Sequence, residues 1–184
     1  MGGLAVGART EPRFTRDLDV VVAVADDDAA EHLVLSMRQK GYQIGAVLEQ
    51  ARTGRLATVR LLASGDGRLA DLLFATSGIE AEIVKEAELL EISPRVTAPV
   101  ACVSHLIAMK VLSRDDLRRP QDRLDLMALV GVATEDELDL AHQAAQTIID
   151  RGCARGRPLV EELADLIQEL KTPLEETDDR SPKP

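Results

Sequence analysis

The sequence predicts an α+β protein, a small mixed β-sheet joined to a helical C-terminal half, and three observations carry that prediction. The apolar run Leu18 to Val24 opens on Asp17, and Leu69 to Phe74 encloses Asp71. Both are too short for ordinary helices and read as strands. Ser64-Gly65-Asp66-Gly67 stands between two such runs, about 56–63 and 68–74, as a hairpin signal. From about residue 102 the apolar residues recur at helical spacing.

In chain order, Gly2 to Arg9 reads as a loop entering a short helix, and Pro12 marks a turn before the Asp17 strand. A helix over about 28–40 is announced by Asp26-Asp27-Asp28, whose carboxylates suit a helix start, and is closed by Gly41. Past the hairpin, a short helix after Ile79 gives way to an irregular or extended piece through Ser93-Pro94 and Ala98-Pro99. Helices are predicted over about 102–114, from Pro120, over 135–151 and over 158–171, Pro120 being favoured at a first helical position. Residues 172–184, charged and proline-rich with no core-forming pattern, read as a disordered tail. The division is therefore 1–100 as the sheet-bearing core, 101–171 as the helical part and 172–184 as the tail.

Composition excludes several function classes. In 184 residues the longest apolar stretches fall well short of a membrane span, and no signal peptide opens the chain, so a cytoplasmic protein is expected. Cys102 and Cys153 are read as lying outside any CxxC or Cys/His grouping, which argues against zinc and fits a reducing compartment. A net charge of -10 disfavours wholesale nucleic-acid binding. The basic residues are nevertheless mostly arginine, 17 against five lysines, clustered near positions 9–16, 52–68 and 114–123. Guanidinium forks match phosphate oxygens, although arginines also populate ordinary solvated faces.

Asp17 and Asp19 are the leading candidates for chemistry. Two apart on a strand, they share one face, where paired carboxylates can hold divalent cations for phosphoryl or nucleotidyl transfer; a solvated strand end would look the same. Asp71 lies among Leu69, Leu72, Leu73 and Phe74, a costly setting unless the acid is paired or metal-bound. Lys110 follows Val103, Leu106 and Ile107 on one helical stripe, so it faces inward and needs an anionic partner, or else snorkels outward. Asp122 and Asp125 share a face with Leu126 and Leu129. They can hold Lys110 or an arginine, or serve as helix-start acids.

Taken together, Gly2-Gly3, Arg13-Phe14-Thr15-Arg16-Asp17-Leu18-Asp19, Asp71, Leu106 to Lys110 and Arg119 to Leu126 resemble the AbiEii/MenT family of minimal nucleotidyltransferases, within the DNA polymerase beta-like superfamily. The resemblance runs from residue 2 to about 130. It implies that Gly2 and Gly3 let backbone amides approach a triphosphate, that Asp17, Asp19 and Asp71 bind two Mg2+ ions, and that Lys110 neutralises the triphosphate. Asp122 matches the acid of the following motif, Arg13 is a lesser nucleotide-binding candidate, and Thr15 sits where some relatives are phosphorylated by their antitoxin. Relatives carry a helix and a short strand before the glycine pair, so the resemblance also implies a missing N-terminal element.

The function so implied is a toxin of a toxin-antitoxin system that moves a nucleoside monophosphate from an NTP, CTP by analogy, to the 3' end of tRNA and so blocks translation. The cognate antitoxin would be its protein partner, with no membrane involved. Two alternatives stand beside it: transfer to a protein or small-molecule hydroxyl, and a catalytically silent binding partner. Aromatic residues make up 2% of the chain, leaving Phe14, Tyr42 and Phe74 as the candidates for base stacking.

Overall fold

The computed structural model describes residues 1–65 and 67–171, so Asp66 and the tail expected over 172–184 lie outside the described residues. Helix α1 (Gly2–Arg9) begins directly at the glycine pair, which corrects the loop expected there. β1 (Asp17–Val21) follows and ends earlier than its apolar run. α2 (Asp27–Gln39) is capped by Asp26, whose side chain accepts from the Ala29 amide at 2.9 Å, and is followed by Gly41 at φ +95°. β2 (Gln43–Glu49) was not foreseen. All seven of its residues are exposed, so no in-out alternation marks it, and Gly45 sits within it. A Cβ at Gly45 would lie 2.2 Å from Leu62, so the glycine lets the strand close on its neighbour.

β3 (Leu56–Leu62) and β4 (Leu69–Leu73) form the foreseen hairpin. The sheet runs β1-β4-β3-β2, with β1 parallel to β4 and the other pairings antiparallel. Alternation divides its faces. Val59, Leu61, Leu72 and Phe74 turn to one side and bury against Ala30 and Val34 of α2, with Val20 and Met37 packed around them. The opposite face carries Asp19, Asp71 and Arg60.

α3 (Glu80–Lys85) leads to β5 (Glu88–Ser93) and β6 (Val96–Val100), an antiparallel hairpin where an irregular or extended piece was expected. Its turn places Arg95 at φ 65°, and Glu91 accepts from the Arg95 amide at 2.9 Å. These strands are largely exposed and Pro99 interrupts the β6 donors, which is why the sequence left irregular and extended readings both open. α4 (Val103–Ser113) is buried on nearly every side, with Leu106, Ile107 and Ala108 at 0% exposure. Around it pack α1, α3, α5 (Pro120–Val132), α6 (Glu135–Asp150) and α7 (Leu159–Lys171). A helix surrounded in this way needs no polar face. Thr134 and Glu137 start α6 with a reciprocal capping box. Among the described residues no helix is long and apolar enough to cross a membrane.

Candidate functional site

Strand register builds one wall of the site. Asp17 and Asp19 share a face of β1, and Asp19 stands directly beside Asp71 across the parallel β1–β4 ladder. The β3–β4 hairpin sets Arg60 opposite Asp71, where Arg60 Nε and Nη2 donate to the two carboxylate oxygens at 2.8 and 2.7 Å. The same guanidinium reaches Asp17 at 3.9 Å. This bidentate bond, with the charges of Asp17 and Asp19, pushes the Arg60 pKa upward. Among the described residues Asp19 has no such partner. Burial first, and then the charge of Asp71, raise its pKa above the ordinary 3.8.

Two helices build the facing wall. Lys110 near the end of α4 is 8% exposed, Asp122 2% and Asp125 1%. Lys110 Nζ lies 2.7 Å from an oxygen of each acid. Arg119 Nε approaches Asp122 at 3.0 Å, and Arg13 Nη2 donates to Asp125 at 2.8 Å. Ser113 Oγ and Gln121 Nε2 supply one further donor to each. Burial alone would raise the Asp125 pKa, but the bonds and charge of Lys110, with Gln121 and Arg13, hold it below 3.8. Lys110 thus faces inward, and the acids expected to receive it do so.

The first turn of α1 closes the corner between these walls. A Cβ on Gly2, which sits at φ +70°, would fall 1.8 Å from Asp19 Oδ2, and one on Gly3 would fall 2.6 Å from Arg13 Nη2. The glycines therefore make room for the site's own side chains. As the first helical residues, their amides are among those a helix leaves without internal acceptors. The Thr15 hydroxyl donates to the Asp17 carbonyl at 3.1 Å.

Between the walls lies a cleft of about 670 Å³. It is lined by Gly2, Gly3, Arg13, Thr15, Asp17, Asp19, Asp71, Lys110 and Asp122, while Asp125 lies behind them, bound to Lys110 and Arg13. Its lining holds seven cationic side chains against four carboxylates, a local excess of positive charge in a chain of net charge -10. That balance favours an anionic ligand. Arg16, Arg118 and Arg155 line it and make no side-chain ion pair among the described residues. The donor set on the strand wall, three carboxylates with two crowded side by side, suits a hard oxygen-seeking cation such as Mg2+.

Arg60 and Arg119 were missed as site residues. Pairing outward from the Ser64–Gly67 turn would have placed Arg60 opposite Asp71. Of the aromatic candidates, Phe74 is buried in the sheet core and Tyr42 packs against it, so neither is free to stack on a base. Phe14 remains, 84% exposed between two cleft-lining residues. The reading of Cys102 as outside any Cys/His grouping is also corrected. Cys102-Val103-Ser104-His105 turns onto the start of α4, and Cys102 Sγ lies 3.1 Å from His105 Nδ1.

No family model matches this chain, and no curated protein matches it.

Proposed function

We propose that the cleft is a metal-dependent nucleotidyltransferase site. The observation that carries this reading is the convergence of Asp17, Asp19 and Asp71 from two adjacent strands on a cleft whose other charged residues are cationic except Asp122. The resemblance of the same residues to AbiEii/MenT nucleotidyltransferases supports it. Asp17, Asp19 and Asp71 would hold Mg2+, which when bound supplies charge neutralisation for the attacking and leaving oxygens. Arg13, Arg119 and the free arginines at the cleft receive the triphosphate, and the Gly2 and Gly3 amides face it at the start of α1. The acceptor hydroxyl gives its proton to Asp71 while its oxygen bonds to the α-phosphorus. The bond from that phosphorus to the β-phosphate bridging oxygen breaks, and pyrophosphate leaves.

Lys110 acts chiefly as the counter-ion that keeps Asp122 and Asp125 in place, and its charge adds to the field of the cleft. The substrate reading follows the resemblance: CTP or another pyrimidine NTP as donor, the 3' end of tRNA as acceptor, a toxin's block of translation as the outcome and an antitoxin as partner. Phosphorylation of Thr15 would add a dianion beside Asp17 and repel the incoming triphosphate.

The test is transfer of label from each α-labelled NTP to total tRNA with Mg2+, comparing the protein with its Asp19→Asn variant. Label from one NTP that disappears in the variant is the expected result. Absence of label on tRNA together with label on protein or on small hydroxyl compounds would reassign the acceptor. A second reading, a cleft that binds without transferring, is favoured by the Arg60 guanidinium clamped on Asp71. NTP binding with no transfer to any acceptor would establish it.

A further inference from the structure

Away from the cleft, a second group of ligand-type side chains converges where α3 ends and α4 begins. Cys102 is the residue that caps α4, His105 lies in its first turn and Glu86 caps the end of α3. Sγ of Cys102 lies 3.1 Å from His105 Nδ1, and the other ring nitrogen lies 4.0 Å from Glu86 Oε2. One donor atom from each of the three falls within 4.8 Å of the others. We propose that Glu86, Cys102 and His105 form a site for a thiophilic divalent cation, with Zn2+ the ion this mixed sulfur, nitrogen and oxygen set suits best.

The donor chemistry separates this site from the strand acids. Thiolate and imidazole select zinc-like ions, whereas an all-carboxylate set selects Mg2+. Three protein ligands with a fourth position left to water make an ordinary tetrahedral zinc shell. Ser104 Oγ, 3.1 Å from the sulfur, is placed to orient it as an outer-shell partner. Glu82, one turn before Glu86, is already paired with Arg151 at 2.6 Å, so Glu86 is the α3 carboxylate left for the cation.

Cys102 and His105 stand three residues apart at the start of α4, which brings sulfur and imidazole to the same side of its first turn. Metal binding takes the cysteine as thiolate and the imidazole neutral, and releases the displaced protons to solvent. A nucleophilic role for the pair would need room for a substrate. These three residues line neither the carboxylate cleft nor the apolar cleft beside it.

The test uses the full chain, freed of metal and titrated with Co2+ under reducing conditions. The expected result is a thiolate-to-cobalt charge-transfer absorption that saturates at one equivalent and is displaced by Zn2+. It should vanish in Cys102→Ser, and persist in Cys153→Ser and in Asp19→Asn. Persistence in Asp19→Asn separates this site from the strand acids, which cannot produce a sulfur band. Glu86→Gln alters an exposed residue and leaves the fold intact; it should keep the band while weakening Co2+ binding ~10-fold or more. Absence of the band from the unaltered protein, its survival in Cys102→Ser, or unchanged affinity in Glu86→Gln would each overturn the proposal.

Discussion

Two groups of acids face each other across the cleft, and they are neutralised in opposite ways. On the helix wall, Asp122 and Asp125 share Lys110 and gain Arg119 and Arg13, so each negative charge is met at hydrogen-bond distance. On the strand wall, Arg60 satisfies Asp71, while Asp19 is pressed against Asp71 with no side chain among the described residues donating to its carboxylate. The helix wall is electrostatically complete as a structural element. The strand wall retains charge that folding does not use, and that surplus is where a cation gains most by binding.

The largest expected effect comes from breaking the complete side. Lys110→Met removes the shared cation and leaves two acids buried at 2% and 1% exposure with the neutral donors Ser113 and Gln121 and, as counter-charge, the arginines at the cleft edge. Losing one partner of a buried pair costs ~3 kcal/mol or more, because a charge is stranded away from water. Denaturant unfolding should show that loss. A change below ~1 kcal/mol would mean that Arg13 and Arg119 suffice, and the contrast between the walls would collapse.

The next effect is on the strand wall and concerns binding. Arg60→Gln withdraws the guanidinium that competes for Asp71 and lies 3.9 Å from Asp17. Because Arg60 is 42% exposed, solvent already screens part of its field, so stability should change little. Mg2+ affinity, measured by calorimetry, should rise ~10-fold, equivalent to ~1.4 kcal/mol. Weaker binding in the variant would show instead that Arg60 holds Asp71 in the geometry a cation needs.

Asp19→Asn should separate stability from function. It removes a charge that burial and Asp71 both disfavour, and it leaves the amide room in place of the carboxylate. Without metal the variant should be more stable by on the order of 1 kcal/mol, the usual sign when a functional charge is neutralised. Mg2+ affinity should fall in the same protein. A less stable variant would show that the Asp19 carboxylate has a donor that favours its charged form.

The two walls were not equally legible in the sequence. Lys110, Asp122 and Asp125 are each interpretable from helical spacing, since an ionisable residue on an apolar stripe must meet a counter-charge and only nearby helices supply one. Asp17 and Asp19 could be placed on one face by strand alternation alone. Their contact with Asp71 depends on a parallel pairing between strands 48 residues apart, which no local pattern encodes. β2 and the β5–β6 hairpin escaped for a different reason. β2 is exposed on both faces, so no burial periodicity set it apart from loop, whereas β5–β6 turns Leu90, Ile92 and Val100 inward but carries two prolines, which left irregular and extended readings both open. Cys102 and His105 were within reach: a C-x-x-H spacing at a helix start was present in the sequence, and counting it would have flagged the pair.

The smallest effect, and the finest test of the comparison, is in pH dependence. Asp19 titrates above its unfolded value of 3.8, so its contribution to stability is fully present below 3.8 and is lost as pH rises through its folded pKa. Asp125 titrates below 3.8, so its contribution is present above that value and is lost as pH falls through its folded pKa. Acidification from neutrality should therefore relieve the strand wall first and break the helix wall only later. The stability advantage of Asp19→Asn over the unaltered protein, measured by denaturant unfolding without metal, should be largest at neutral pH and shrink toward zero as pH approaches 3.8 from above. An advantage independent of pH would trace the gain to packing of the amide rather than to the crowded charge, and would remove the reason for expecting a cation between Asp19 and Asp71.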